Sequence, residues 1–149
     1  MSEALYNKEI LRLAASIPRG QRLAAPQVTV TKLSPICGSR ITIDLTLADG
    51  RIADYGQEVR ACALGQAAAS LMGRLVVGRP VDEMLALRER MEAYLKAGGP
   101  APGGVWAVLD IFAPARAHKS RHGSIMLPFE AVAAGIARLD KAENVAVKE

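Results

Sequence analysis

Cys37 and Cys62 are the two thiols of a 149-residue chain, and they are the side chains best suited to bind a soft metal or carry sulfur. Cys37 stands in Ser34-Pro35-Ile36-Cys37-Gly38-Ser39, a turn-prone stretch where backbone amides can approach a bound anion or sulfide. Cys62 stands where an alternating pattern gives way to a helical one, and a helix N-terminus favours the thiolate that metals and persulfide chemistry require. A lone cysteine is equally a small buried hydrophobe. Two brought close together could share a metal, receive a sulfur atom or oxidise to a disulfide.

Whether they meet depends on the elements around them. Ile41, Ile43, Leu45 and Leu47 alternate with Thr42, Asp44 and Thr46, and the run ends at Ala48-Asp49-Gly50-Arg51, where Asp-Gly is a preferred two-residue hairpin turn. The return strand covers about 51–60. Extending the pairing of Ala48 with Arg51 outward sets Cys37 opposite Cys62, and opposed residues lie roughly 4.5–5.5 Å apart. The same register puts Asp54 and Glu58 on the face of Leu45 and Ile41, so a bulge in the return strand is expected. One inserted residue removes direct opposition but keeps both thiols at one end of the sheet.

The remaining elements read as a helix over 3–16, a strand of alternating Val28 and Val30 ending at Pro35, and a small-residue helix from Ala61 closing at Gly78. A further helix starts near Pro80 with Asp82 and Glu83 in its first turn, and Gly98 to Gly104 breaks it. A short buried helix over 105–112 and an amphipathic helix over about 122–140 follow, joined by a basic tract, Arg116 to His122, that reads as an exposed connection. This order predicts one α+β domain over 1–149, a small three-stranded antiparallel sheet with helices on one face.

Composition excludes other classes. Two cysteines cannot staple a secreted mini-domain, and MSEALYNKEI lacks the greasy core of a signal peptide, so a soluble cytoplasmic protein is expected, with no membrane association. The net charge of +4 is mild, and two Phe, three Tyr and one Trp are too few for a base-stacking platform, so no nucleic-acid partner is expected.

The sequence resembles the U-type iron–sulfur scaffold family of IscU, SufU and the N-terminal domain of NifU. The likeness is carried by Leu5-Tyr6-Asn7-Lys8, Cys37-Gly38, the Asp49-Gly50-Arg51-Ile52 hairpin and Cys62 with its small-residue helix. It continues through Gly78-Arg79-Pro80-Val81-Asp82-Glu83 and His122-Gly123-Ser124-Ile125-Met126-Leu127. The resemblance implies a SufE/NifU-like fold and a scaffold or carrier rather than an enzyme. Such a protein receives sulfur from a cysteine desulfurase and passes iron–sulfur clusters to recipient apo-proteins. Family members use three cysteines and an aspartate for zinc or a nascent cluster; here Ser39 replaces the aspartate and Gly123 the third cysteine. Cys37 and Cys62 carry over as ligands for iron, a cluster or zinc, and His122, beside the lost cysteine, is a third candidate ligand. A homodimer sharing one cluster across two cysteine pairs would complete the coordination. Two other roles fit the resemblance: a partner-binding protein that has lost the site and uses the surface around 113–122, and a persulfide acceptor with Cys62 activated by its helix terminus and Arg60.

Overall fold

The computed structural model describes residues 5–148, with side chains as far as residue 141. Three antiparallel strands, β1 (Val28–Leu33), β2 (Arg40–Ala48) and β3 (Arg51–Arg60), lie in the order β1-β2-β3. Asp49 and Gly50 both adopt positive φ, 54° and 74°, the geometry of a tight hairpin turn whose twist matches that of the strands. Ala48 pairs with Arg51 and Leu47 with Ile52, but Thr46 pairs with Asp54, so Ala53 is the extra residue of a bulge. The expected mismatch is thereby removed. Tyr55, Gln57 and Val59 now oppose Leu45, Ile43 and Ile41, and Asp54 and Glu58 turn to the other face.

The register therefore corrects the position of the thiols. The ladder ends at Arg40 opposite Arg60, and Cys37 and Cys62 both lie beyond it, at one sheet end but not paired across it. Cys37 belongs to the β1–β2 loop and Cys62 to the start of a helix.

The helices are α1 (Lys8–Ala15), α2 (Ala63–Leu75), α3 (Val81–Lys96) and α4 (Lys119–Lys148). A long 3-10 segment, Gly104–Ala117, separates the last two. Asn7 caps α1 by accepting from the Ile10 amide at 3.0 Å, so the expected helix over 3–16 starts later; its residues 3 and 4 lie outside the described residues. Helix α2 packs on β3, α4 packs on β1 and β2, α1 rests on α2, and α3 rests on α4. Val30, Ile41, Ile43 and Leu45 form the buried inner face beneath them. Gly135 lets α4 approach closely, since a Cβ there would stand 2.7 Å from Leu45 Cδ1. No helix is long and apolar enough to cross a membrane among the described residues.

The sequence places a short helix over 105–112 and an exposed tract from Arg116 to His122. The helix is found with Trp106 and Leu109 buried but as a 3-10 segment that runs on to Ala117, and the tract is exposed at 117–120 but half-buried at Arg116 and Arg121 and buried at His122. Trp106 Nε1 donates to Glu83 Oε2 at 2.9 Å and Tyr94 OH to Asp110 Oδ1 at 2.8 Å, which hold the long 3-10 segment against α3. Arg116 lies 4.7 Å over the Tyr94 ring, and Lys119 to His122 form the first turn of α4, with His122 buried. These anchors link residues far apart in the chain, so no local pattern reveals them.

Residues 16–27 close the other side of the sheet. The Gln57 amide, at the free edge of β3, donates to the Arg19 carbonyl at 3.0 Å. Asp44, on the outer face of the central strand, is fully buried beneath this connection. Its carboxylate accepts from Arg22 Nε (2.6 Å), Thr29 Oγ1 (2.6 Å) and the Leu23 amide (3.0 Å). Burial alone would raise its pKa; the Arg22 guanidinium, the Thr29 hydroxyl and the Leu23 amide outweigh that and hold it below the usual carboxylate range. A depressed carboxyl pKa adds stability above the ordinary value, and that stability is lost as pH falls through the folded value. Asp44→Asn should lower stability at neutral pH by about 2 kcal/mol, because buried donors lose a charged acceptor. Urea unfolding at neutral and at acid pH checks this: the deficit should shrink at the acid end, where the native carboxyl is itself protonated.

Candidate metal and sulfur site

The loop joining β1 to β2 folds back on itself. The Ser34 amide donates to the Ser39 carbonyl at 2.8 Å and the Gly38 amide to the Ser34 carbonyl at 2.9 Å. Gly38 makes this closure with φ +72°, a conformation that disfavours side chains. Cys37 Sγ consequently lies 3.4 Å from Ser34 Oγ and 3.1 Å from Ser39 Oγ.

Cys62 lies where strand gives way to helix, as the sequence predicts; it is the N-cap of α2, which starts two residues after Ala61, and its carbonyl accepts the first helical bond from the Gln66 amide at 2.9 Å. Its sulfur makes no bond to the helix amides. It lies instead 3.3 Å from Ser124 Oγ, and that hydroxyl donates to Ser39 Oγ at 3.1 Å. A continuous chain of polar atoms thus joins the two sulfurs: Cys37, Ser39, Ser124, Cys62. Ser34, Ser39 and Ser124 are all buried, whereas both thiols are partly accessible.

This chain has an electrostatic consequence. Burial pushes the Cys37 thiol up, but the Ser34 and Ser39 hydroxyls, the Ser39 amide and Ser124 outweigh burial and bring it down to about 7. With Cys37 ionised, every bond can run one way: Cys62 S–H to Ser124, Ser124 to Ser39, and Ser39 to the Cys37 thiolate. The thiol so favoured is the one in the loop, whose neighbours are the hydroxyls of Ser34, Ser39 and Ser124.

His122 sits in the first turn of α4, next to the residues that line the site. Its Nε2 lies 2.9 Å from the Ala115 carbonyl and 3.1 Å from that of Arg116. Both partners are acceptors, so Nε2 carries the proton and, in the neutral ring, the lone pair is on Nδ1. His118 is exposed on the preceding turn. Among the described residues, no three His, Cys, Asp or Glu side chains form a group poised for a metal ion.

Three further residues shape the site. A Cβ on Gly123 would stand 2.8 Å from Ser34 Oγ, so the Ser34 hydroxyl occupies the space a side chain at 123 would need. A Cβ on Gly65 would collide with Ser124 Oγ, so this glycine lets α2 and α4 close on each other at the site. Ser124 itself lies beside Gly123 in the stretch that carries the resemblance, and its neighbour Ser39, which stands where the family aspartate would be, reads from sequence as a turn residue able to cap, hydrogen-bond or weakly ligate. Their link joins residues 85 positions apart.

A family model, the NifU-like N-terminal domain, matches residues 5–103, which include both cysteines. The chain belongs to that family. It is similar to the "Iron-sulfur cluster assembly scaffold protein IscU" of Thermotoga maritima, 33% identical over 88 residues; the match spans 59% of this chain and 62% of that protein. A NifU-like protein (N-terminal) from Brucella abortus, described as nitrogen-fixing, is 43% identical over 94% of this chain and 97% of its own, with TM-score 0.92. A putative scaffold protein for the SUF system from Fervidobacterium islandicum shares the fold at TM-score 0.83 and 18% identity, over 91% and 98% of the two chains. The expected α+β architecture is the one found.

Alkylation of Cys37, followed by peptide mapping across pH, should give a midpoint of about 7. Ser39→Ala removes a donor to the thiolate and should move that midpoint upward; an unchanged midpoint would refute the hydroxyl origin of the shift. Gly65→Ala should displace Ser124 and alter the alkylation rate of Cys62, with far-UV circular dichroism reporting that the fold persists.

Proposed function

We propose that this protein is an iron–sulfur cluster assembly scaffold or carrier that takes iron or a nascent cluster as cargo on Cys37 and Cys62. The reading is carried by one observation, two thiols at one sheet end joined through Ser39 and Ser124, one of them primed as a thiolate. Family membership and the scaffold name of the Thermotoga relative support it. A cysteine desulfurase as sulfur source and apo-proteins as recipients follow from the same relationship. One core cluster running from Leu5 to Ile136 supports reading 1–149 as a single domain.

Two thiolates leave a four-coordinate metal half satisfied. Nδ1 of His122, a small external thiol or the cysteine pair of a second copy would supply the rest, and zinc would be held by the same atoms. Because the His122 ring is tied through Nε2, its use as a ligand requires the ring to keep that backbone bond and offer Nδ1.

Anaerobic reconstitution with iron and sulfide should produce a charge-transfer absorption band that Cys37→Ala and Cys62→Ala each abolish. A band that survives both substitutions, or none in the parent chain, overturns the proposal. Gly123→Cys should improve zinc retention, and more so together with Ser34→Ala, which removes the hydroxyl 2.8 Å from the new Cβ.

The lowered Cys37 thiol supports a second reading, sulfur acceptance, since a thiol with pKa near ambient pH attacks disulfide-type sulfur well. The Cys37 thiolate would attack the outer sulfur of the donor's persulfide, form a new S–S bond and release the donor thiolate. Mass spectrometry after incubation with desulfurase and cysteine should find one added sulfur on Cys37, and finding none would refute it.

A further inference from the structure

The ladder ends at an unusual pair. Arg40 and Arg60 are directly opposed and both are exposed, so two like charges project side by side from the outer face of the sheet. Neither guanidinium has a hydrogen bond or ion pair with any described residue. Other arginines on this side of the molecule do: Arg22 binds Asp44 and Arg19 binds Asp54. Arg40 and Arg60 also line one shallow depression of about 350 Å³, with Thr42, Gln57 and Glu58. The other polar groups there are engaged, because the Gln57 amide bonds Pro18, Ala69 and Tyr55, and the Thr42 hydroxyl bonds Thr31. Glu58 makes no ion pair with either arginine, and two guanidiniums against one carboxylate leave the depression a net positive charge of one.

The apolar side of the patch is continuous with this pair. Leu33 is the cross-strand partner of Arg40, so Leu33, Arg40 and Arg60 form one row across all three strands. Leu33 is 65% exposed, and Ile36, beside Cys37 in the adjoining loop, is 71% exposed. The row therefore presents an aliphatic group and then two unneutralised, planar cations with bidentate carboxylate geometry. A planar carboxylate matches the planar fork of each guanidinium two bonds at a time, and Leu33 beside them suits an aliphatic neighbour of that carboxylate.

We propose that this row is a docking site for an acidic protein segment bearing one aliphatic residue next to its carboxylates, on a partner that works at the adjacent thiol end. The site is defined by charge and shape at the sheet edge and holds whether or not the thiols carry a cluster.

The test is a ¹⁵N chemical-shift titration of the metal-free chain with the peptide acetyl-Asp-Glu-Leu-Asp-Glu-amide. Its Asn/Gln counterpart and free glutarate serve as further probes. The acidic peptide should give saturable shifts centred on Leu33, Arg40 and Arg60, weakening with salt and by about fivefold or more in R40Q/R60Q. Absence of saturable shifts, equal binding of the neutral peptide, or unchanged affinity in R40Q/R60Q overturns the proposal. Glutarate binding as tightly as the peptide overturns the assignment to a protein segment and points to a free small carboxylate. Because both side chains are exposed, R40Q/R60Q should melt no lower than the parent chain. Since no metal is present, failure here is distinct from failure of the reconstitution.

Discussion

The inner face of the sheet is packed against α2 and α4 with no room for a carboxylate, and that constraint governs the register of β3. Ala53 takes up the extra residue, so that Tyr55, Gln57 and Val59 rather than Asp54 and Glu58 meet the helices. The polar groups this admits are paired: Gln57 accepts from Tyr55 OH at 3.0 Å and donates to the carbonyls of Pro18 and Ala69. Gln57 thereby ties sheet, connection and α2 together. The same slip ends the ladder at Arg40 and Arg60, leaving the two cysteines in a loop and a cap, where side chains from α4 can reach between them.

What fills the space between the thiols is hydroxyl rather than carboxylate. Ser39 and Ser124 bridge the sulfurs without adding negative charge, so ionising Cys37 is not opposed by a neighbouring anion. A hydroxyl can also reverse its bond, donating to a thiolate or accepting from a thiol. The site therefore accommodates either protonation state of Cys37 without moving heavy atoms. Gly65 and Gly123 let Ser124 and Ser34 approach the helix backbones closely, and the His122 imidazole binds the start of α4 to the end of the 3-10 segment.

Much of this was legible locally. The hairpin, the helix read from Ala61 and found from Ala63, and the helix after Pro80 follow from alternation, an Asp-Gly turn, a run of small residues and first-turn acids. The need for a bulge was legible too, because Asp54 and Glu58 disagreed with Leu45 and Ile41. Placing it at Ala53 was not, since that choice depends on which residues α2 and α4 accept. The basic tract misled for a similar reason: Lys119 to His122 look like a solvated loop until the Ala115 and Arg116 carbonyls are brought to His122. Ser124 and Gly65 carried no local signal, because their importance arises only where two helices distant in sequence touch.

Ser34 and Gly123 are coupled through a single hydroxyl. The hydroxyl that fills the gap at 123 is also a bonding partner of the Cys37 sulfur. A side chain introduced at 123 would press on the hydroxyl that touches the Cys37 sulfur, and trimming Ser34 would remove that contact. Substitutions at 34 and 123 therefore act on the thiol through a shared atom, and their effects on it should not add.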